Sequence, residues 1–288
     1  MTALPTTPSS PSAKPTASTP ASIPIPRDLD VDFSKVPRHW LYGNPTATAI
    51  ANGVNMLFPW GERFFVRSVN HFMDRITDPP LRARIKGFFQ QEGRHAHAHD
   101  EFNAILRAQG YEVDTFLADY KKWSSWVEKR TSPELRLAVT AASEHFTAIM
   151  AEGAFTRGVL DEAAPEMRLL LAWHAAEEIE HKSVAFDVLQ AVDPRYRTRI
   201  LGLAMATLLL GGFWVWGART LLRQDKITGR KLLRSLNEQR KSDPMIRRVF
   251  VRGIRQYLRR DFHPNHNNDR TLTAEWFAAR GMTMPDAA

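Results

Sequence analysis

Trp173-His174-Ala175-Ala176-Glu177-Glu178-Ile179-Glu180-His181 is the stretch on which the fold turns. Residues three and four apart on a helix share a face. His174, Glu178 and His181 therefore form one row, two imidazoles and a carboxylate aimed the same way. Glu177 and Glu180 flank the row, where they are expected to meet solvent, form salt bridges or back up the row from behind. Pro165 opens this helix, and Ala185, Val188 and Val192 continue its apolar side beyond the row.

A second row lies upstream in Gln91-Glu92-Gly93-Arg94-His95-Ala96-His97-Ala98-His99. Its helix starts at Asp78-Pro79-Pro80 and runs to Gly110. The inner seam reads Leu81, Ile85, Phe88, Glu92, His95, His99, Phe102, Leu106, alternating steps of three and four as a bundle seam does. Three ionisable residues thus stand where apolar ones belong, and burying them unpaired costs several kcal/mol. A bound metal is the most economical compensation. His97 points off this face and is expected at the surface.

Two single glutamates complete the set. Glu62, in FPWGERFF (residues 58–65), sits in the first turn of a helix running to about Arg75, above Phe65, Val69 and Phe72. It either favours the positive end of the helix dipole or ligates a metal. Glu144 belongs to a helix whose start is marked by Ser132-Pro133-Glu134. Its neighbours Ala141, Ala142, Phe146 and Ala148 are not those of a surface residue, so a ligand is expected. In chain order the seam reads Glu62; Glu92 and His95; Glu144; Glu178 and His181, each group on its own helix.

The chain of 288 residues has no cysteine. That excludes disulfides, thiolate zinc sites, iron–sulfur clusters and cysteine nucleophiles, and leaves histidine and carboxylate to hold iron, manganese or zinc. The net charge of +8 is uneven: residues 219–260 hold fourteen Lys/Arg against three Asp/Glu, a local +11 that leaves about −3 elsewhere. Such a cluster seeks phosphate on lipid or nucleic acid, or is a solvated helix face. Residues 1–26, rich in Pro, Ser, Thr and Ala, are expected to be a disordered tail with neither a secretory nor a transit signal. Order is expected from Asp32-Phe33, with the metal-binding bundle over 32–195. Residues 114–130, with Phe116, Tyr120, Trp123 and Trp126, read as a packing helix.

Residues 200–218, ILGLAMATLLLGGFWVWGA, carry no charge and are long enough to cross a bilayer. Four glycines, Trp214 and Trp216 fit a membrane interface. Positive charge on both flanks, beginning with Arg195, Arg197 and Arg199, argues instead for a segment lying on one leaflet. The soluble alternatives are a helix closing the bundle or a homodimer interface. Residues 219–288 form a basic helical segment in which Ile246, Phe250, Ile254 and Leu258 make an apolar row. His263 and His266 sit in a turn and are expected to be structural. The expected partners are a small hydrophobic substrate and an anionic membrane surface rather than nucleic acid, and the expected location is cytoplasmic, at the inner face of the membrane.

The paired Glu-x-x-His motifs with interleaved glutamates resemble the ferritin-like di-metal carboxylate proteins. The resemblance covers residues 58–190 and implies an all-α fold, a four-helix bundle with additional C-terminal helices. It implies two divalent ions, iron favoured, bridged by Glu92 and Glu178. Glu62 and His95 would complete one ion, Glu144 and His181 the other. The extra His174 resembles p-aminobenzoate N-oxygenase type enzymes, in which such a histidine binds one iron; His99 is a further candidate. The run FPWGERFF, FFQQEGRHAHAHDEFN, SEHFTA and WHAAEEIEHKSVAFDV is also similar to a bacterial family labelled predicted metal-dependent hydrolase. Ligand sets of the ferritin-like kind imply an oxidase or oxygenase that activates O₂. The hydrolase label implies a metal-bound hydroxide at the same site.

Overall fold

The structure, a computed structural model, describes residues 22–242, 245–267 and 269–282, with the side chains of 238–249 outside the described set. The helices are α1 (Pro45–Asn55), α2 (Phe58–Asn70), α3 (Pro79–Ala108), α4 (Asp114–Arg130), α5 (Pro133–Thr156), α6 (Pro165–His181), α7 (Val184–Val192), α8 (Tyr196–Gln224), α9 (Gly229–Ser242), α10 (Met245–Tyr257) and α11 (Arg270–Ala278). Among the described residues there is no strand, only an isolated bridge between Leu41 and Ala163. The class is all-α.

Helix starts follow local chemistry. Asp78 and Ser132 accept hydrogen bonds from Leu81 N and Leu135 N, with proline in the first turn of α3 and α5. Free N–H groups at a helix start need such acceptors. Asn44 caps α1 in the same way; no apolar period in residues 45–55 announces that helix. The helix expected from Pro165 through Val192 is interrupted after His181. There Lys182 is buried, reaching the carboxylate of Asp269 and the carbonyl of Asn267, and Ser183 accepts from Arg84.

Helices α2, α3, α6 and α5 pack as a closed ring, each against the next. Their polar residues occupy a layer between two apolar clusters. On one side lie Val69, Phe72, Ile85, Phe88, Leu137 and Phe146. On the other lie Phe102, Leu106, Phe116, Met167, Leu170 and Trp173. Helix α3 crosses both, so its apolar ends hold Glu92, His95 and His99 at mid-height.

Helix α8 is long and apolar enough to cross a membrane, yet packs along α5 and α1. Glycines make that approach close. A Cβ on Gly202 would stand 2.5 Å from the Ala138 backbone, and one on Gly217 would press on Met56 and Phe116. On the facing helix, a Cβ on Gly53 would lie 2.8 Å from Ala218 N. Gly202 and Gly217 are therefore helix-packing residues rather than membrane markers. Trp214 likewise turns inward and donates to Ile50 O at 2.7 Å, and Trp216 packs edge-on to Phe116. Arg199 is buried too, stacked among Tyr196, Phe186 and Tyr257 and donating to Arg259 O, so it is no headgroup ligand.

Two further expectations change. The N-terminal segment packs well before Asp32: Ser22 is buried, Pro24 O closes on Gly87, and Ile25 O accepts from Gln91 at 3.0 Å. Of the tail expected over 1–26, residues 1–21 lie outside the described set. On α4, Phe116 and Tyr120 are buried as expected, but Trp123 and Trp126 are exposed. In the C-terminal apolar row, Phe250 and Ile254 pack on the core, Leu258 is exposed, and Ile246 falls outside the described side chains. His263 bonds Asp187 at 2.8 Å and caps the turn that contains His266.

Candidate metal centre

The ring of α2, α3, α5 and α6 brings together Glu62, Glu92, His95, His99, Glu144, His174, Glu178 and His181, all buried. Their donor atoms fall into overlapping groups: Glu62, Glu92 and His95; Glu92, Glu144 and His181; His95, His174 and Glu178; Glu62, His99 and His174. Within each group the atoms lie within 4.8 Å of one another. His97 stays outside, exposed beside Glu101.

Glu92 belongs to two of these groups. His181 Nε2 stands 3.2 Å from Glu92 Oε1, 3.3 Å from Glu144 Oε2 and 3.5 Å from Glu178 Oε2. The other oxygen of Glu178 lies 2.8 Å from His174 Nε2 and 3.8 Å from His95 Nδ1. His174 Nε2 is also 3.5 Å from Glu62, and its Nδ1 meets His99 Nε2 at 2.7 Å. Glu178 thus sits between His95 and His181, as Glu92 does between Glu62 and Glu144.

The fit to cations rests on orphaned atoms. Both carboxylate oxygens of Glu62, Glu92 and Glu144 make no hydrogen bond, nor do His95 Nδ1, His99 Nδ1 and His181 Nε2. Leaving a buried donor or acceptor unmade costs about 1–3 kcal/mol, more when it is charged, and here the orphans belong to residues of the overlapping donor groups. Four carboxylates also match the charge of two divalent ions. The residues present fit such a pair.

A supporting layer fixes the imidazoles. His95 Nε2 pairs with Glu177 Oε2 at 3.0 Å, which leaves Nδ1 facing the centre. His181 is held from the opposite nitrogen: its Nδ1 donates to Gln91 Oε1 at 2.8 Å, leaving Nε2 inward. Gln91 Nε2 in turn donates to Glu180 Oε2 at 2.5 Å. Arg27 joins the two acids, donating to both Glu180 oxygens at 2.9 and 3.1 Å and to Glu177 Oε1 at 3.3 Å, with its guanidinium over the Phe277 ring. Partners of this kind set the tautomer and orientation of metal-ligating histidines. Glu177 and Glu180 therefore back the row rather than meet solvent. Gln91 and Arg27 carried no sequence signal, because their roles depend on a segment 60 residues or more away in the chain.

Electrostatics follow burial. It pushes the Glu62 and Glu92 carboxyls well above the usual range, helped by neighbouring carboxylates, and raises Glu144 to about 7. Burial and the nearby His174 hold His95 and His99 well below the ordinary histidine value. Glu178 and His181 go the other way. Burial opposes charge on both, but their mutual attraction outweighs it, lowering the carboxylate and raising the imidazole. Burial thus favours the protonated forms of Glu62, Glu92 and Glu144. Cations would displace those protons.

Aromatic rings wall the layer. Phe58 packs on His99 and His174 with centroids at 4.6 and 4.5 Å, Trp173 meets His95 edge-on at 4.8 Å, and Phe88 meets His181 at 5.0 Å. Beside the centre lies a cavity of about 100 Å³, lined chiefly by apolar side chains of α2, α4, α5 and α8. Glu62 and Thr147 lie in its wall. The Thr147 hydroxyl donates to Glu178 Oε2 at 2.5 Å, so both residues connect cavity and centre.

No curated protein and no solved structure matches the chain. Residues 25–268 match the model of a family described as predicted metal-dependent hydrolase, and the chain belongs to that family.

Proposed function

We propose that the protein is a hydrolase working with two divalent cations held by the α2–α3–α5–α6 layer. Glu62 and His95 would hold one ion with His174, and His99 stands within reach as a further donor. Glu144 and His181 would hold the second, and Glu92 and Glu178 stand between the two sets as further donors. This order of ligands on a closed ring of four helices is that of ferritin-like carboxylate bundles, a placement we propose together with the site. The observation that carries the reading is the convergence of six unbonded carboxylate oxygens and three unbonded imidazole nitrogens on one buried layer. The hydrolytic choice draws on the family description, and it replaces the oxidase expected from the ligand pattern as the leading reading.

Bound ions of this kind polarise a substrate oxygen and lower the pKa of a coordinated water. The chain's own residues supply the rest. Glu62 is the acid shared by centre and cavity, so a substrate lying in the cavity meets the centre at this side chain. Thr147 fixes the orientation of Glu178. Phe58, Trp173 and Phe88 exclude bulk water, which strengthens every electrostatic interaction inside.

Oxidation of an apolar substrate with O₂ and ferrous ions is the second reading. It is favoured by the apolar lining of the cavity, which offers few groups to orient a polar leaving group. Turnover of a panel of carboxylic esters and amides by zinc- or manganese-loaded protein under anaerobic conditions decides between them. Anaerobic hydrolysis is the expected result. Turnover that demands both iron and O₂ would overturn the hydrolytic reading.

A further inference from the structure

The outer side of α8 is bare. Leu201, Leu208 and Val215, spaced by sevens, form one stripe, and Leu208 is 74% exposed. Exposed arginines stand in line at its ends, Arg197 four residues before Leu201 and Arg219 four residues after Val215. Alongside, α4 presents Trp123 and Trp126, 49% and 47% exposed and packed edge-to-face on each other. Lys122, Lys129 and Arg130 are exposed around them, Arg130 lying over the Trp126 ring at 4.7 Å. Helices α4 and α8 are joined beneath this surface by Tyr120 on Phe213 and Phe116 on Trp216.

The cavity beside the metal centre lies directly behind that face. Met205, Leu209 and Phe213 of α8 and Ser124 and Val127 of α4 line it, all half-buried. Met205 stands beside the exposed stripe, four residues after Leu201 and three before Leu208, and Leu209 follows Met205 by four, one step further round the helix. The apolar surface outside thus continues into the apolar lining inside, and the lining ends at Glu62 and Thr147.

We propose that the α4–α8 face docks on an anionic lipid bilayer, and that the cavity admits a short alkyl end of a substrate drawn from that leaflet. The second half rests on the proposed function. Apolar rows edged by Lys and Arg lie in the headgroup plane, and Trp settles at that depth. Anionic headgroups attract the basic edge. The helix lies on the leaflet and does not cross it, because its other side is locked to the bundle by Gly202 on Ala138 and Gly217 against the Gly53 region. A two-fold dimer through this face would set the arginine-bracketed stripe against its own copy, bringing like charges together. A bilayer avoids that repulsion.

Co-sedimentation of the metal-loaded full chain with vesicles tests the docking. Binding is expected to phosphatidylcholine vesicles containing phosphatidylglycerol, with weak binding to phosphatidylcholine alone. Leu208→Glu/Val215→Glu should lower partitioning at least about tenfold, with helical content and metal load unchanged. Metal-stripped protein should bind like the loaded protein, which separates this outcome from the fate of the hydrolytic reading. Wild type left in the supernatant with anionic vesicles, or a double variant that pellets like wild type, overturns the docking. So does a wild-type dimer in ultracentrifugation that the same variant turns into monomer, which would assign the face to a second copy. For the cavity, a short-chain acid such as hexanoate should bind in saturation-transfer NMR, and Leu209→Trp should weaken it about tenfold or more while vesicle binding stays. Absent binding, or equal binding by Leu209→Trp, overturns the alkyl-chain half.

Discussion

Replacing Arg27 by methionine removes one cation from between two buried acids. The guanidinium makes four contacts that matter here: two to Glu180, one to Glu177, and a stacking contact over Phe277. Methionine keeps much of the apolar stem, so the loss is electrostatic. Breaking a buried pair by removing one partner costs about 3–5 kcal/mol. Burial already pushes Glu177 up to about 8 against the pull of Arg27, so it carries a proton at neutral pH and escapes part of the penalty. Glu180, which takes two of the three bonds, loses most. The sign with pH follows from Glu177. Beside Arg27 it gives up its proton as pH passes about 8; without the guanidinium it holds that proton to higher pH. Above pH 8 the folded variant therefore binds more protons than folded wild type, and its stability falls faster as pH rises. Urea unfolding of metal-free protein should show a deficit of about 3 kcal/mol at pH 7 that widens by about 1 kcal/mol by pH 9. A deficit under about 1 kcal/mol at pH 7, or one that narrows between pH 7 and pH 9, would refute the view that Arg27 neutralises buried charge.

Other consequences are open to measurement. Glu177→Gln or Gln91→Ala should weaken metal affinity by about 10–100-fold, because each leaves a histidine without its outer partner; competition with a metal chelator reads this directly, and unchanged affinity would strip the outer layer of its role. Metal uptake should release protons from Glu62, Glu92 and Glu144, whose carboxyls are all raised by burial. Apparent affinity should therefore climb as pH passes through 7, by up to about tenfold per pH unit for each proton released, and a flat pH profile in titration calorimetry would contradict the charge assignment. Gly202→Ala should destabilise the fold by about 1–3 kcal/mol, because its Cβ strikes the Ala138 backbone. Gly211→Ala, with nothing within 4 Å of its Cβ, should instead add up to about 1 kcal/mol; thermal denaturation of the pair checks that α8 sits as described.

Much of the site was legible because helical geometry turns spacing into direction. His174, Glu178 and His181 had to share a face, as did Glu92, His95 and His99, and the burial of all six follows from the apolar residues above and below them. Glu144 was legible for the same reason, through Ala141, Ala142 and Phe146. Other features depend on contacts distant in the chain, which periodicity does not report. Arg27 lies in a stretch whose composition reads as loose, yet a strap from Ser22 to Arg27 packs across α3 and α6. In the apolar run of α8, Gly202, Gly217 and Trp214 suggest a membrane by composition alone. Their role is set by the small residues of α1 and α5 that face them. The break after His181 is another case, since Lys182 is drawn to Asp269 from a segment that sequence spacing cannot place.

Four helices would grip two cations in one buried layer, and metal analysis tests that most directly. The full chain would be stripped with chelator, reloaded separately with iron, manganese and zinc, and freed of loose metal before elemental analysis. Close to two divalent ions per chain are expected in wild type and in His97→Ala, whose side chain lies outside the centre. Glu92→Ala, lacking the acid common to the groups that contain His95 and His181, should lose both while keeping its helical content. Wild type that refolds with full helical content but retains no ion, or Glu92→Ala that retains both, would contradict the account.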